Sequence, residues 1–354
     1  MKVGLILPGN IWFSPYVNIY TKMLDEMQVS YDLISWNRDG KDKKIGFQYE
    51  SKTQLKGRLS KILPYLGYAK YIKKIVNANQ YDRLIVFGPQ IAIFLSRFLS
   101  KNFKGKFLFD YRDLSIEQKT FLKRPFKNVL ISSYANVISS PGFKRCLPTD
   151  VHYLLSHNFD IDLVKHALEG KVESKESTSE VSVLTIGGIR DYSSNIEVVK
   201  ALANKEGFQL HFVGKGAAAS LIQSYVEEQK IQNVDFEGFY PKEKEAQYIQ
   251  EATFLNIFYP KIISHETALS NRFYNSLIYK KPMIVTSNSV QGDYAEKYQL
   301  GLSLNDCTDL DLKIKSFLKT FDKVSFDARC NELLMMFLKD YEEVYDTVRK
   351  FVGK

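Results

Sequence analysis

Cysteine is scarce in this chain. There are three in 354 residues, Cys146, Cys307 and Cys330, far apart and odd in number. That excludes a disulfide framework and fits a reducing cytosol. None has the spacing of a metal-ligand set, and the five histidines are scattered, so no metal site is expected. No apolar run approaches the roughly 20 residues that span a bilayer. The opening residues, Met1-Lys-Val-Gly-Leu-Ile-Leu-Pro8, read as a first strand and lack the length and cleavage region of a secretory signal. There is no internal sequence repeat and no recognised nucleic-acid module.

What is present is an ordinary globular balance, 45% hydrophobic and 25% charged. The length suits about two domains with full cores. The charge is uneven. Residues 1–150 hold 25 Lys and Arg against 11 Asp and Glu, a net of +14, so the remainder carries −5 of the overall +9. Two readings stand: an anionic surface or substrate near the first half, or plain solubility charge.

Strand and helix patterns alternate twice. In the first half, strands fall at Val3–Leu7, Tyr31–Trp36, Leu84–Phe87, Lys106–Asp110 and Val151–Leu155, with helices at Tyr16–Met27 and Ile91–Leu99. Residues 129–139 supply a helix end and a strand, and residues 37–54 a polar, Lys-rich loop. Residues 166–180 read as a polar linker. A second series follows: strands at Val181–Ile186, Leu210–Val213, Val234–Phe236 and Phe254–Phe258, and helices opened by a Ser194…Glu197 capping box, at Ala217–Glu228 and at Lys242–Gln250. A long amphipathic helix, Asn331–Val352, closes the chain. Interleaved strands and helices predict two parallel, doubly wound sheets. The expected domains are 1–165, 181–325 and a C-terminal helix, 326–354.

Open α/β sheets bind ligands at the carboxyl ends of their strands. Four segments of the second domain fall there. In Thr185-Ile-Gly-Gly-Ile-Arg-Asp191, Gly187 and Gly188 let backbone approach a ligand, and Arg190 offers a planar fork for phosphate. In Val213-Gly-Lys-Gly216, Lys215 is either a phosphate contact or a solvated lysine. In Phe236-Glu-Gly-Phe-Tyr240, Phe239 and Tyr240 are stacking surfaces or core aromatics. In Leu269-Ser-Asn-Arg-Phe-Tyr-Asn-Ser-Leu-Ile-Tyr-Lys-Lys-Pro-Met-Ile-Val285, Ser270 or Asn271 caps a helix. Arg272 stands at its positive end, where free N–H groups hold phosphate. In the first domain, Phe109-Asp-Tyr-Arg-Asp-Leu114 sets Asp110 and Asp113 at a strand end, as a candidate base or as caps.

The Leu269–Val285 stretch resembles the N-K-x-x-E-x-x-x-x-G-K-P segment of GT-B glycosyltransferases, group 1-like, of the bacterial capsular and exopolysaccharide type. The Gly-Gly turn, the V-G-x-G turn and the Phe236–Tyr240 loop precede it in that family's order. Phe109–Leu114 is similar to its D-x-H/R-D element. Ser139–Phe143 looks like its strand exit, and Leu155–Asp160 like its hinge. The resemblance spans residues 1–320. It implies two Rossmann-like domains facing a cleft, with the C-terminal helix packing back on the first. It implies a nucleotide sugar as co-substrate, UDP-linked, with no other cofactor and no metal. Gly187, Gly188, Arg190, Lys215, Gly238, Phe239, Ser270, Asn271, Arg272 and Asn275 would bind the donor. Asn275 departs from the pattern, because the family usually has there the Glu that accepts the ribose hydroxyls. Asp110, Asp113 and Glu266 would be catalytic, although the spacing of Glu266 is not the usual one. Asp160-Ile-Asp162 has the letters of a metal motif but lies at the hinge.

The acceptor implied is lipid-linked or a growing surface polysaccharide, handled by a hexosyltransferase-type enzyme at the inner face of the plasma membrane. Residues 55–76 mix Lys and Arg with Leu, Ile and Tyr, as a peripheral contact with anionic lipid would. A UDP-sugar 2-epimerase shares the architecture and is one alternative. A non-enzymatic binder of anionic polymers is the other. Nucleic acid is not an expected partner.

Overall fold

The structure, a computed structural model, describes residues 1–40, 42–50, 59–172 and 180–354, with backbone alone at 59–62. Two compact units emerge, Met1–His157 with Asp340–Lys354, and Asn158–Lys339. Most of the linker stretch, 173–179, lies outside the described residues, as do residues 55–58 of the basic segment.

In the first unit the order is β1 (Lys2–Ile6), α1 (Val17–Glu26), β2 (Ser30–Asn37), β3 (Phe47–Glu50), α2 (Leu59–Asn79), β4 (Arg83–Phe87), α3 (Pro89–Asn102), β5 (Phe107–Tyr111), α4 (Lys123–Ser132), β6 (Ala135–Ile138) and β7 (Tyr153–Leu155). These strands form one seven-stranded sheet, β3-β2-β1-β4-β5-β6-β7. Each neighbouring pair is parallel. Central strands of such a sheet are covered on both faces and read as continuous apolar runs. Leu84–Phe87 and Phe107–Phe109 have no exposed surface. The edge strand β3 lies inside the stretch read as a loop. It has four residues, none fully buried, so it carries no apolar run.

The second unit runs α5 (Ile161–Leu168), β8 (Val181–Gly188), α6 (Tyr192–Leu202), β9 (Phe208–Lys215), α7 (Ala219–Glu228), β10 (Val234–Glu237), α8 (Glu245–Glu251), β11 (Phe254–Ile257), α9 (Ile263–Thr267), α10 (Asn271–Ile278), β12 (Met283–Thr286), α11 (Val290–Lys297), β13 (Gly301–Leu304), α12 (Leu310–Lys319) and α13 (Lys323–Phe351). Its sheet is β10-β9-β8-β11-β12-β13, again parallel throughout. The strand order turns back at β8 and β11, the switch point beside which open sheets of this kind hold ligands.

The expected capping box does not form. Helix α6 begins at Tyr192 with Asp191 in the N-cap position, which places Ser194 inside the first turn, buried and with no hydrogen-bond partner among the described residues. The closing helix serves both units. Phe326, Leu333, Leu334 and Phe337 belong to the core of the second. Val344, Val348 and Phe351 fill the core of the first, under Val17 and Tyr20. No helix among the described residues is long and apolar enough to cross a membrane.

One buried lysine makes a stability prediction. Lys281 is 4% exposed and donates to the Gln250 carbonyl at 2.7 Å. Burial, with Lys323 nearby, pushes its pKa down to about 8. The folded chain then releases this proton near pH 8, and the unfolded chain only near 10.5. Between those values the unfolded state binds more protons, so stability rises with pH. The rise due to Lys281 is about 2–3 kcal/mol. Urea unfolding at pH 7.5 and pH 10 should show it in the wild type and not in Lys281→Met. Equal slopes in the two proteins would refute the shift.

Candidate functional site

The site is built at the carboxyl ends of β8, β9, β10 and β11. Strand β8 pairs with β9 as far as Gly187 with Gly214 and Gly188 with Lys215, so the two glycine-rich turns leave the sheet side by side. They touch closely. A Cβ on Gly214 would lie 2.0 Å from the Gly187 carbonyl oxygen, and one on Gly216 would lie 1.9 Å from that of Ile189. Any side chain at either position would push the turns apart. Gly187 has a φ of +92°, and open space lies where its side chain would be.

Arg272 stitches this edge together. It is 7% exposed. Its Nε donates to the Ile186 carbonyl at 2.5 Å, its Nη2 to that of Gly188 at 3.1 Å, and its Nη1 to that of Asn256 at 3.1 Å. Below it lies the Tyr259 ring, 5.6 Å away. Three of the five guanidinium N–H groups are thus spent on strand-end carbonyls, and two remain. No carboxylate among the described residues pairs with it. Helix α10 begins one residue before it, capped by Ser270, whose Oγ accepts from the Phe273 amide at 3.3 Å. Ser270 is held in turn by Gln291 Oε1 at 2.7 Å. The first-turn amides of Asn271 and Arg272 have no intrahelical acceptor.

The remaining expected residues gather around this centre. Arg190 is exposed, its Nε 3.3 Å from where a Gly188 side chain would begin. Lys215 stands 5.8 Å above the Phe239 ring, which is 77% exposed. Gly238 lies against the Lys215 stem. Arg190 and Lys215, like Arg272, form no ion pair among the described residues. Three cations around two open glycine turns make a strand edge that attracts a di-anion. Asn271 is exposed and accepts from Asn158 at 2.9 Å.

Residues that the sequence did not mark complete the edge. Glu245, the first residue of α8, accepts from Tyr240 Oη at 2.8 Å and from Asn275 Nδ2 at 3.4 Å, and pairs with Lys242. Burial and the Glu245 charge raise the Tyr240 pKa, so its hydroxyl stays a donor. Asn256, on β11, donates to Thr185 and Asn195 and holds its own carbonyl toward Arg272. No local pattern announces Glu245 or Asn256, since the contacts that tie them to this edge, with Asn275 and with Thr185 and Asn195, lie 30 or more residues away in the chain. Glu266 sits half buried on the five-residue α9, its amide donating to the Ile262 carbonyl at 2.9 Å, and its carboxylate forms no ion pair among the described residues. Its neighbour His265 packs 5.1 Å from Tyr259, which ties α9 to the same edge.

In the first unit, Asp110 and Asp113 are placed very differently. Asp110 has no exposed surface. Arg112 grips it through Nε at 2.5 Å and Nη2 at 2.7 Å, and Tyr20 Oη donates to it at 2.5 Å. Arg112 continues to the Ser156 carbonyl and hydroxyl at 2.8 and 3.0 Å. Burial and the Asp110 charge raise the Tyr20 pKa, so it too remains a donor. Both carboxylate oxygens are occupied, and no edge of Asp110 is open to a substrate. Its geometry is that of a brace between β5, α1 and the end of β7. Asp113 is exposed on the turn that follows. Asp160 caps α5 through the amides of Asp162 and Leu163. His157 Nε2 donates to Asp340 Oδ2 at 2.8 Å, and burial lowers its pKa.

No protein-family model matches this chain, and no curated protein does. Solved structures do. A sucrose-phosphate synthase from Thermosynechococcus elongatus is similar along 100% of this chain and 99% of its own, at 14% identity and a TM-score of 0.72. A glycosyltransferase from Rickettsia africae has the same coverage at 14% identity and a TM-score of 0.67. Anabaena HepE, in complex with UDP and glucose, covers 99% of this chain and 100% of its own at 12% identity and a TM-score of 0.65. The UDP-GlcNAc 2-epimerase of Neisseria meningitidis, bound to UDP-GlcNAc, reaches 0.64 at 9% identity over 99% and 100%. With two parallel Rossmann-like sheets and neighbours of this kind along its whole length, the chain has the GT-B fold.

Proposed function

We propose that this chain is a glycosyltransferase that takes a sugar from a nucleotide-sugar donor and passes it to a lipid-linked or growing surface polysaccharide. One observation carries the reading: Arg190, Lys215 and Arg272, none of them paired with a carboxylate among the described residues, ring the two glycine turns of a GT-B fold. The second unit would hold the donor, its diphosphate against Arg190, Arg272 and the start of α10. The fold's occurrence with UDP bound, in HepE, supports a UDP-linked donor. In the reaction the bond from the sugar's anomeric carbon to the diphosphate breaks, and its electron pair leaves with the nucleotide. An acceptor hydroxyl oxygen bonds to that carbon and gives up its proton. The developing negative charge is met by fixed cations and helix N–H groups, which makes a metal unnecessary on this reading. Asp113, exposed just past the end of β5, is the first-unit carboxylate that this reading would offer as the base. A peripheral place at the inner face of the plasma membrane belongs to the same proposal.

The donor class is tested by thermal stability against UDP, GDP, CMP, dTDP and ATP. A ligand that binds only the folded state raises the melting temperature. A selective rise with one nucleotide supports the reading, and no rise with any of them removes its basis. Because an epimerase shares the fold, the chain should also be incubated with UDP-sugar and no acceptor. Recovery of an epimerised UDP-sugar would assign it to that chemistry instead.

A second carboxylate lies near the departure at Asn275. Glu245 brings a carboxylate to Asn275 from another helix. On the proposed reading it accepts the ribose hydroxyls in place of the missing Glu. Glu245→Gln should weaken UDP binding roughly five- to tenfold, the range of one charged hydrogen bond. It should weaken 2′-deoxy-UDP less. Adding Asn275→Glu to that variant should restore affinity. Unaltered UDP binding by Glu245→Gln would remove Glu245 from the site.

A further inference from the structure

The turn after β1 carries an unusual surface. Ile11–Phe13 form a short 3-10 turn on which Trp12 is 53% and Phe13 58% exposed, their rings stacked 3.5 Å apart. Ile45, on the loop before β3, is half exposed as well. A shallow pocket of about 410 Å³ lies between them, lined by Ile11, Trp12, Asp42, Lys43 and Ile45. Large aromatics are costly to leave in water. A monomer seldom gathers them without a use.

The surface is held in place from beneath. The Ile11 amide donates to Asp42 at 2.9 Å, and Asn10 donates to Asp39 at 2.6 Å and to Asn37 at 3.2 Å. Arg38 lies 4.2 Å over the Trp36 ring and donates to the Pro8 carbonyl at 2.6 Å and to Tyr65 at 2.8 Å. These bonds clamp the turn after β1 to the loop after β2. They also engage both local acids, Asp39 and Asp42, with the turn. Lys43 lines the pocket with Trp12, and Lys44, next in the chain, is exposed like it, in the half of the chain whose net charge is +14.

We propose that this platform docks on an anionic lipid bilayer, with Trp12, Phe13 and Ile45 entering the headgroup boundary and Lys43 and Lys44 meeting lipid phosphates. Apolar burial and cationic attraction add in such a contact, and an indole sits well at that boundary. The charge selects the occupant: a neutral apolar partner would use the aromatics and leave the lysines without anions. The inference deepens the membrane-side reading above and moves its centre from residues 55–76 to residues 11–13 and 43–45. It is independent of the donor site.

The chain supplies its own reporter. It has two tryptophans, and Trp36 is 5% exposed, packed among Tyr49, Tyr65 and Tyr68. Only Trp12 can change its contact with water. Vesicles of phosphatidylglycerol and phosphatidylcholine, 1:1, should shift the emission of the full chain to the blue, and pure phosphatidylcholine vesicles should not. Trp12→Ser with Phe13→Ser should lower vesicle co-sedimentation roughly tenfold or more. Lys43→Glu with Lys44→Glu should lower it for the anionic vesicles. These side chains are exposed, so the variants are expected to fold, and unchanged melting temperatures check it. No blue shift with anionic vesicles, or equal shifts with both compositions, overturns the proposal. Sedimentation unchanged in the Trp12/Phe13 variant does so too. UDP-induced stabilisation measured without vesicles reads the donor site separately, so either idea can fail alone.

Discussion

Arg272→Ala is expected to remove nucleotide binding and also to weaken the fold. From the sequence alone the side chain is a phosphate ligand at a helix start, and its loss should leave the fold intact. The structure adds a second duty. The Ile186, Gly188 and Asn256 carbonyls all accept from this one guanidinium. Truncation strips three strand-end carbonyls of their donor in a place where Arg272 itself is nearly buried. Hydrogen bonds to charged groups contribute about 1.5–3 kcal/mol each, and water entering the gap recovers part of that. The net loss should be about 2–4 kcal/mol in urea unfolding. UDP affinity, measured where the variant is still folded, should fall roughly hundredfold, as the removal of a charged contact with a diphosphate implies. Arg272→Lys separates the two duties. It keeps the charge, but a single ammonium cannot span carbonyls of two strands as a fork does. It should recover some UDP binding and little stability. A variant that binds UDP as the wild type does would refute the phosphate assignment, whatever its stability.

The largest stability effect is expected in the first unit. Asp110→Ala leaves the Arg112 guanidinium buried with its carboxylate gone. Removing one member of a buried pair costs about 3–5 kcal/mol, because the other charge stays behind without compensation. Tyr20 loses its acceptor at the same time. The paired change, Asp110→Asn with Arg112→Gln, removes both charges and should cost clearly less than the sum of the single changes. That shortfall is the coupling a double-mutant cycle measures. Urea denaturation of the four proteins decides it. If Asp110→Ala loses under about 1 kcal/mol, the brace is not a closed pair. Asp113→Asn is the useful contrast: an exposed carboxylate should barely change stability, and on the proposed reading its loss lowers turnover.

Much of this is legible in the sequence. A buried parallel strand needs an unbroken apolar run, and Leu84–Phe87, Phe107–Phe109 and Met283–Val285 each have one. A helix cap needs a side-chain oxygen at one position, and Ser270 supplies it. Glycines that must touch backbone announce themselves, as Gly214 and Gly216 do. In each case the physical cause acts within a few residues, so a local pattern records it. Strand β3 escaped because an edge strand with no fully buried residue has no such pattern. The capping box at Ser194 was a local pattern that tertiary packing overrode, since α6 starts at Tyr192 and buries that hydroxyl.

The chain alone determined the fold class, two parallel doubly wound sheets, and the set of loops that hold the donor candidates. The tertiary structure decided how those candidates divide their work. Arg272 both offers charge and ties β8 to β11. Asp110 is closed by Arg112 and Tyr20, while Asp113, three residues on, is at the surface. Glu245 reaches Asn275 from 30 residues away, and Trp12 stands out of the surface while Trp36 is enclosed. Burial and partnership across long sequence separations are properties of the packed chain, and residue type alone does not state them.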